Sequence, residues 1–187
     1  MLNFNAKTYL HEMKYNPMKT IYVFALMLLL GSGCSNSGKD GFSIGFSKGV
    51  KADLMTGAKT SYNGFAVENV YVVDAEDNQL NDNKVPINSK FSIVFEGIEN
   101  YTLKEGKAFP GLALEVTDEV GGFILDEADL LSNSTEGFEP KTASVLRGTI
   151  TVGEPMEIGK TYRCKVRVFD KNSEAEIVTT MKFEVKE

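Results

Sequence analysis

The chain has 187 residues, with 20 Lys and Arg against 26 Asp and Glu, for a net charge of −6. That balance disfavours a nucleic-acid partner, because neutralising phosphates requires clustered basic side chains. A single histidine (His11), two cysteines (Cys34 and Cys164) and no tryptophan narrow the chemistry further.

The first readable segment is Ile21 to Leu30, ten apolar residues preceded by Lys14 and Lys19 and followed by Gly31-Ser32-Gly33. A basic flank, a short apolar core and small residues describe a secretory signal peptide. The run is too short to span a bilayer, which takes about 20 helical residues. Residues 1–17 fit a signal poorly, whereas Met18-Lys19-Thr20 reads as a signal opening, so translation is expected to start at Met18. Cys34 directly follows the small residues, and Met18 to Cys34 resembles the signal of a bacterial lipoprotein. The resemblance implies cleavage after residue 33 and acylation of Cys34. Its departure from the pattern is Gly31, which stands where such signals usually carry Leu.

Cleavage there leaves 154 residues, removes Lys7, Lys14, Lys19 and Glu12, and moves the net charge from −6 to −8. It also removes His11, the only imidazole. Ser-His-Asp and Cys-His catalysis then have no general base. Most zinc, copper and iron sites lose their usual ligand. Residues 34–41 form the lipidated cysteine and a small, polar tether, Ser35 to Gly41, reaching at most about 25 Å. Ser35 after the cysteine implies the outer membrane by the same resemblance. The absence of an acidic run there points to the periplasmic face.

The rest of the chain alternates with period 2, as half-buried strands do. Residues 42–64 are expected to form an extra hairpin or linker, with short alternation at Phe42 to Phe46 and at Ala52, Leu54 and Thr56. Phe65 to Val73 is a predicted strand, followed by an Asx-rich loop, Asp74 to Asn83. Further strands are predicted at Lys90 to Phe95 and Gly111 to Thr117. The turn Asp118 to Gly122 then leads into Phe123 to Leu125, and one helical turn is predicted over Asp126 to Ser132. Val145 to Val152, Tyr162 to Phe169 and Ile177 to Val185 complete the strands. Short strands without a long helix predict an all-β antiparallel sandwich over 65–187, with a small β-barrel as the alternative.

Around Tyr162-Arg163-Cys164 the sequence is similar to the penultimate strand of an immunoglobulin-like β-sandwich. The resemblance implies a tyrosine-corner role for Tyr162 and a buried, unbridged Cys164, since no second cysteine stands on an earlier strand. The stretch 83–187 also resembles small sandwich domains of Bacteroidetes-type lipoproteins. The marks are Lys107-Ala108-Phe109-Pro110-Gly111-Leu112, Val116-Thr117-Asp118 and Gly153-Glu154-Pro155-Met156. That resemblance implies a fold and an address, and no reaction.

Candidate sites are few. Asp74, Glu76, Asp77 and Asp82 are weak calcium candidates, being hard oxygen ligands at short spacing, but they do not follow an EF-hand pattern. Asx residues also favour turns by bonding nearby backbone. A second acidic group, Asp126, Glu127 and Asp129, could join Asp118 and Glu119 at one end of the sandwich. Tyr62, Phe65, Tyr71, Tyr101, Phe109, Phe123 and Phe138 could supply a glycan-binding face where they are exposed. Leu131 to Ala143 is a candidate recognition loop. No nucleophile, base or cofactor site is marked. The expected protein is a non-enzymatic accessory or interaction module, membrane-held by its acyl chains, with an envelope protein or a glycan as partner. A glycan-binding accessory of a nutrient-uptake system is the alternative.

Overall fold

The computed structural model describes residues 48–187. The signal segment, Cys34, the tether and Phe42 to Phe46 lie outside the described residues. Ten strands and one helical turn make up the fold: β1 Lys48–Ala52, β2 Lys59–Asn63, β3 Asn69–Asp74, β4 Lys84–Pro86, β5 Lys90–Glu96, β6 Pro110–Thr117, β7 Phe123–Glu127, α1 Pro140–Ala143, β8 Val145–Thr151, β9 Thr161–Asp170 and β10 Glu176–Lys186. They form two sheets. The larger runs β1-β2-β10-β9-β6-β7, with β4 also on β10, and the smaller runs β3-β5-β8. The sheets do not close on each other, so the fold is a β-sandwich and the barrel alternative falls.

Alternation explains the layers. In β9, Tyr162, Cys164, Val166 and Val168 are buried, while Arg163 is exposed and Lys165 and Arg167 half-buried. In β10, Ile177, Thr179, Met181, Phe183 and Val185 point inward. Across the gap, β5 supplies Phe91, Ile93 and Phe95, all fully buried. The Phe91 and Phe183 rings meet edge-on at 5.0 Å, joining the two sheets. Gly148 on β8 has no side chain because a Cβ there would stand 2.7 Å from Val166 Cγ1 on the opposite sheet.

The chain passes repeatedly between the two sheets. β3, β5 and β8 form one sheet and the remaining strands the other, so the chain changes sheets after β2, β3, β4, β5, β7 and β8. β7 adds to the larger sheet beside β6. β3 and β4 sit in different sheets, and β4 runs parallel to the end of β10.

Several expected boundaries shift. Phe65 to Glu68 precedes β3 rather than belonging to it. Phe65 turns into the core, and Glu68 N donates to Glu96 O at 3.0 Å. The helical turn expected over Asp126 to Ser132 does not form: β7 continues through Glu127, held by Leu114↔Glu127, and a turn follows. Within 42–64 the strands are Lys48–Ala52 and Lys59–Asn63, paired as a hairpin. β2 in turn pairs with β10, so the hairpin widens the larger sheet. The Thr60 and Thr179 hydroxyls, both buried, share a hydrogen bond of 2.8 Å at that junction.

Tyr162 has its ring in the core, and its hydroxyl accepts from Glu157 N at 2.9 Å, back across the loop before β9. Cys164 is a free, buried thiol, and burial pushes its pKa up to about 12. Replacing Tyr162 with Phe keeps the ring and leaves the Glu157 amide without this acceptor. The expected result is a loss of about 1 kcal/mol in urea denaturation. An unaltered midpoint would show that the hydroxyl holds nothing.

Candidate functional site

Four connections gather at one end of the sandwich: 64–68, 97–109, 128–144 and 171–175. Their order follows from the strand topology, and all four belong to one hydrogen-bonded network, 64–68 joining it through Ala66 and Glu99. The centre of this network is Asp170, the last residue of β9, with 2% of its surface exposed. A buried carboxylate needs several donors to replace its water. Asp170 Oδ2 accepts from Thr102 N at 2.8 Å and from Ser173 Oγ at 2.7 Å, and Oδ1 accepts from Asn172 N at 3.1 Å. The Asn172 carboxamide donates to Thr102 O at 3.1 Å, closing a ring between the β5–β6 loop and the β9–β10 turn.

A second clamp joins the 128–144 loop to the same turn. Lys171 Nζ lies 2.8 Å from Asp129 Oδ2 and donates to Leu131 O at 2.8 Å. Asp129 Oδ1 accepts from Leu112 N at 3.1 Å and Leu131 N at 2.9 Å. Burial works against ionisation of Asp129. The Lys171 ammonium and the two amides outweigh it and hold the carboxyl below its usual range. Tyr101 extends the network. Its ring meets Phe65 edge-on at 4.8 Å and its hydroxyl donates to Ala143 O at 2.9 Å. Burial, with the Asp170 charge adding to it, raises the Tyr101 phenol well above its ordinary pKa.

Within the β5–β6 loop, Lys104 and Lys107 exchange both backbone hydrogen bonds, 2.9 and 3.0 Å, around Glu105 and Gly106. Both central residues have positive φ, 53° and 77°, the geometry of a tight hairpin turn. Gly106 suits that backbone without strain. The result is a small projecting finger, Leu103 to Lys107, with Leu103 48% exposed. Phe138 pairs its backbone with Ala108 in both directions, at 2.8 and 2.9 Å, and the Lys107–Glu139 ion pair lies beside it. Leu131 to Ala143 is thereby laid against the finger.

Other sequence-predicted residues are dispersed. Asp74 accepts from Glu76 N at 3.0 Å and Asn78 N at 2.8 Å, and these donors lower its pKa. Asp77, at φ 64°, pairs with Arg147 at 2.6 Å, and Asp82 accepts from Lys84 N at 2.9 Å. Asp74 and Asp82 thus bond their own turns, and among the described residues no group of three or more acidic, Cys or His side chains is placed to hold a metal ion. The two acidic groups do not join either. Asp118 and Glu119 sit at the β6–β7 tip, whereas Asp129 lies beyond the other end of β7. Of the aromatics, Phe65 is core, Phe123 is 64% exposed at the far end, and Tyr71 donates to Glu96 on the smaller sheet. Tyr101, Phe109 and Phe138 stand at the loop end with Phe65, each of the three half-buried, and Tyr62 is half-buried on β2. Sequence reading missed Asp170 and Lys171. Their partners lie up to 68 positions away, and nothing local marks them apart from ordinary turn residues.

No family model and no curated protein matches the chain. Among the described residues no helix is long and apolar enough to cross a membrane.

The Asp129 clamp predicts a pH dependence. A carboxyl held below its unfolded pKa of about 3.9 contributes stability above that value and loses it as pH falls through the folded value. Asp129→Asn is expected to be less stable than the native chain near pH 6, with the gap closing towards about pH 2. Urea melts across this range check it, and a gap that stays constant would contradict the clamp.

Proposed function

We propose that this protein is a non-enzymatic, lipid-anchored module of the outer membrane that recognises a membrane-held partner protein through its loop end. The observation that carries this reading is the mutual locking of the 97–109, 128–144 and 171–175 connections by Asp170 and the Asp129–Lys171 pair. A bonded loop surface gives up little conformational freedom on binding, which is what a recognition surface needs. The exposed apolar side chains Leu103 and Leu130 supply contact area at its rim.

The geometry of attachment supports the same reading. Lys48 begins β1 opposite Asn63, and Asn63 faces Glu176, so the chain enters the sandwich at the loop end. With acylation at Cys34, fourteen residues lead to Lys48, a reach of about 50 Å at most. The loop end is then the tethered end, suited to a partner in or on the same membrane.

The test is chemical cross-linking and affinity recovery from native envelopes. Chains carrying Leu103→Asp or Leu130→Asp are compared with Val120→Asp, whose site is 92% exposed at the opposite end. One stoichiometric protein, lost with the first two changes and kept with the third, is the expected outcome. Loss of Cys34 acylation in Cys34→Ala should abolish recovery from the membrane fraction. Equal recovery by all the loop variants would contradict the assignment of the loop end.

A further inference from the structure

The outer face of the larger sheet holds a cationic cleft created by strand register. β10 is eleven residues long, and one of its edges is covered by two different strands. β2 covers Glu176 to Thr180 and β4 covers Glu184 to Lys186. Between them, at Met181 to Phe183, the edge is left open by both strands. A cleft of about 480 Å³ occupies this gap, lined by Lys59, Asn83, Arg163, Thr180 and Lys182 and by the turn residues Thr56 and Gly57.

Its charge is one-sided. Lys182 and Arg163 stand directly opposite each other in the β9–β10 pair, an arrangement that costs stability because like charges face across the strands. Their neighbours on the same face are neutralised. Lys165 lies 3.6 Å from Glu115, and Arg167 lies 2.7 Å from Glu176 and over the Phe169 ring. Arg163, Lys182 and Lys59 make no ion pair with any described residue. No described carboxylate lines this cleft, whereas the adjoining hollow on the other side of Arg163 and Lys182 takes in Asp118 and Glu119, with neither of which these cations form an ion pair. Three unpaired cations in one concave space therefore present a local field opposite in sign to the whole protein.

We propose that this cleft binds an oxyanion, a carboxylate or phosphate, between Arg163 and Lys182, with Lys59 completing the cationic wall. The planar guanidinium of Arg163 can take two oxygens at once, and the two ammonium groups act as point charges beside it. Thr180 adds a hydroxyl at the margin, and Asn83, whose carboxamide donates one N–H to Lys182 O at 3.2 Å, keeps a second N–H, which suits an oxyanion carried on a hydroxyl-rich molecule such as an acidic sugar. A bound anion relieves the Arg163–Lys182 repulsion that the register imposes. This site lies on a sheet face, apart from the loop end, and stands or falls independently of the partner-recognition reading.

Calorimetry on the full chain at fixed ionic strength tests it, with inorganic phosphate, trigalacturonate and neutral maltotriose as probes. The expected result is saturable binding of phosphate, trigalacturonate or both. Affinity should weaken about tenfold or more in Arg163→Gln and in Lys182→Gln, and stay unchanged in Lys165→Gln. The stronger of the two anionic probes identifies the source of the oxyanion. Thermal melts provide the folding check, since Lys182→Gln removes a repulsion and should not lower the melting temperature. Binding that is unaffected by both cleft variants, maltotriose binding as tight as trigalacturonate, or no saturable heat from either anion would overturn the proposal.

Discussion

The Asp170 carboxylate is the interaction on which the loop end depends. Burying an ionised carboxylate is costly unless its lone pairs are met, and here three donors from two connections meet them. The charge therefore dictates where Thr102 and Asn172 must be. Once they are placed, the Lys171 main chain can donate to Phe109 O, and its side chain can reach Asp129 and Leu131. Removing one partner leaves a buried donor or charge uncompensated, so the connections are coupled rather than independently mobile.

The larger sheet shows a different consequence of register. A strand of eleven residues is longer than either strand that covers its outer edge, and the two coverings arrive from unrelated parts of the chain. The hairpin β1–β2 docks through Thr60 on Thr179, and β4 docks beside Lys186 after the chain changes sheets. Neither strand reaches Lys182. The cationic cleft is thus a by-product of how the edge is shared, and the positions of Arg163 and Lys182 give it chemical character.

Much of the fold was legible in the sequence because burial alternates with period 2. The residues of β9 and β10 can be sorted into inner and outer faces by eye, and the structure sorts them the same way. The expectation for Tyr162 came from the resemblance rather than from spacing, and its hydroxyl accepts from Glu157 N, five residues back. What could not be read depends on distant pairing. β4 has three residues and no alternation to detect, and Phe65 looks like strand but serves as a core plug before β3. Asp170 looks like a turn residue until Thr102 is brought to it. Arg163 looks like one of three solvated cations until the register sets Lys182 opposite it and shows that only the other two have acidic partners. In the Asx-rich stretch, Asp74 and Asp82 accept from amides of their own turns while Asp77 pairs with Arg147, a partner 70 positions away that only the folded chain shows.

The most direct measurement is amide hydrogen exchange at Thr102 and Asn172 in the native chain and in Asp170→Asn. Asparagine has one acceptor oxygen where aspartate has two, so either flip leaves one of these two amides facing an NH2 group. Slow exchange in the native chain, with protection lost across 99–107 and 171–174 in the variant while Val166 and Val168 stay protected, is the predicted result. Rapid exchange at Thr102 in the native chain, or protection unchanged by the substitution, would contradict a loop end ordered by this carboxylate.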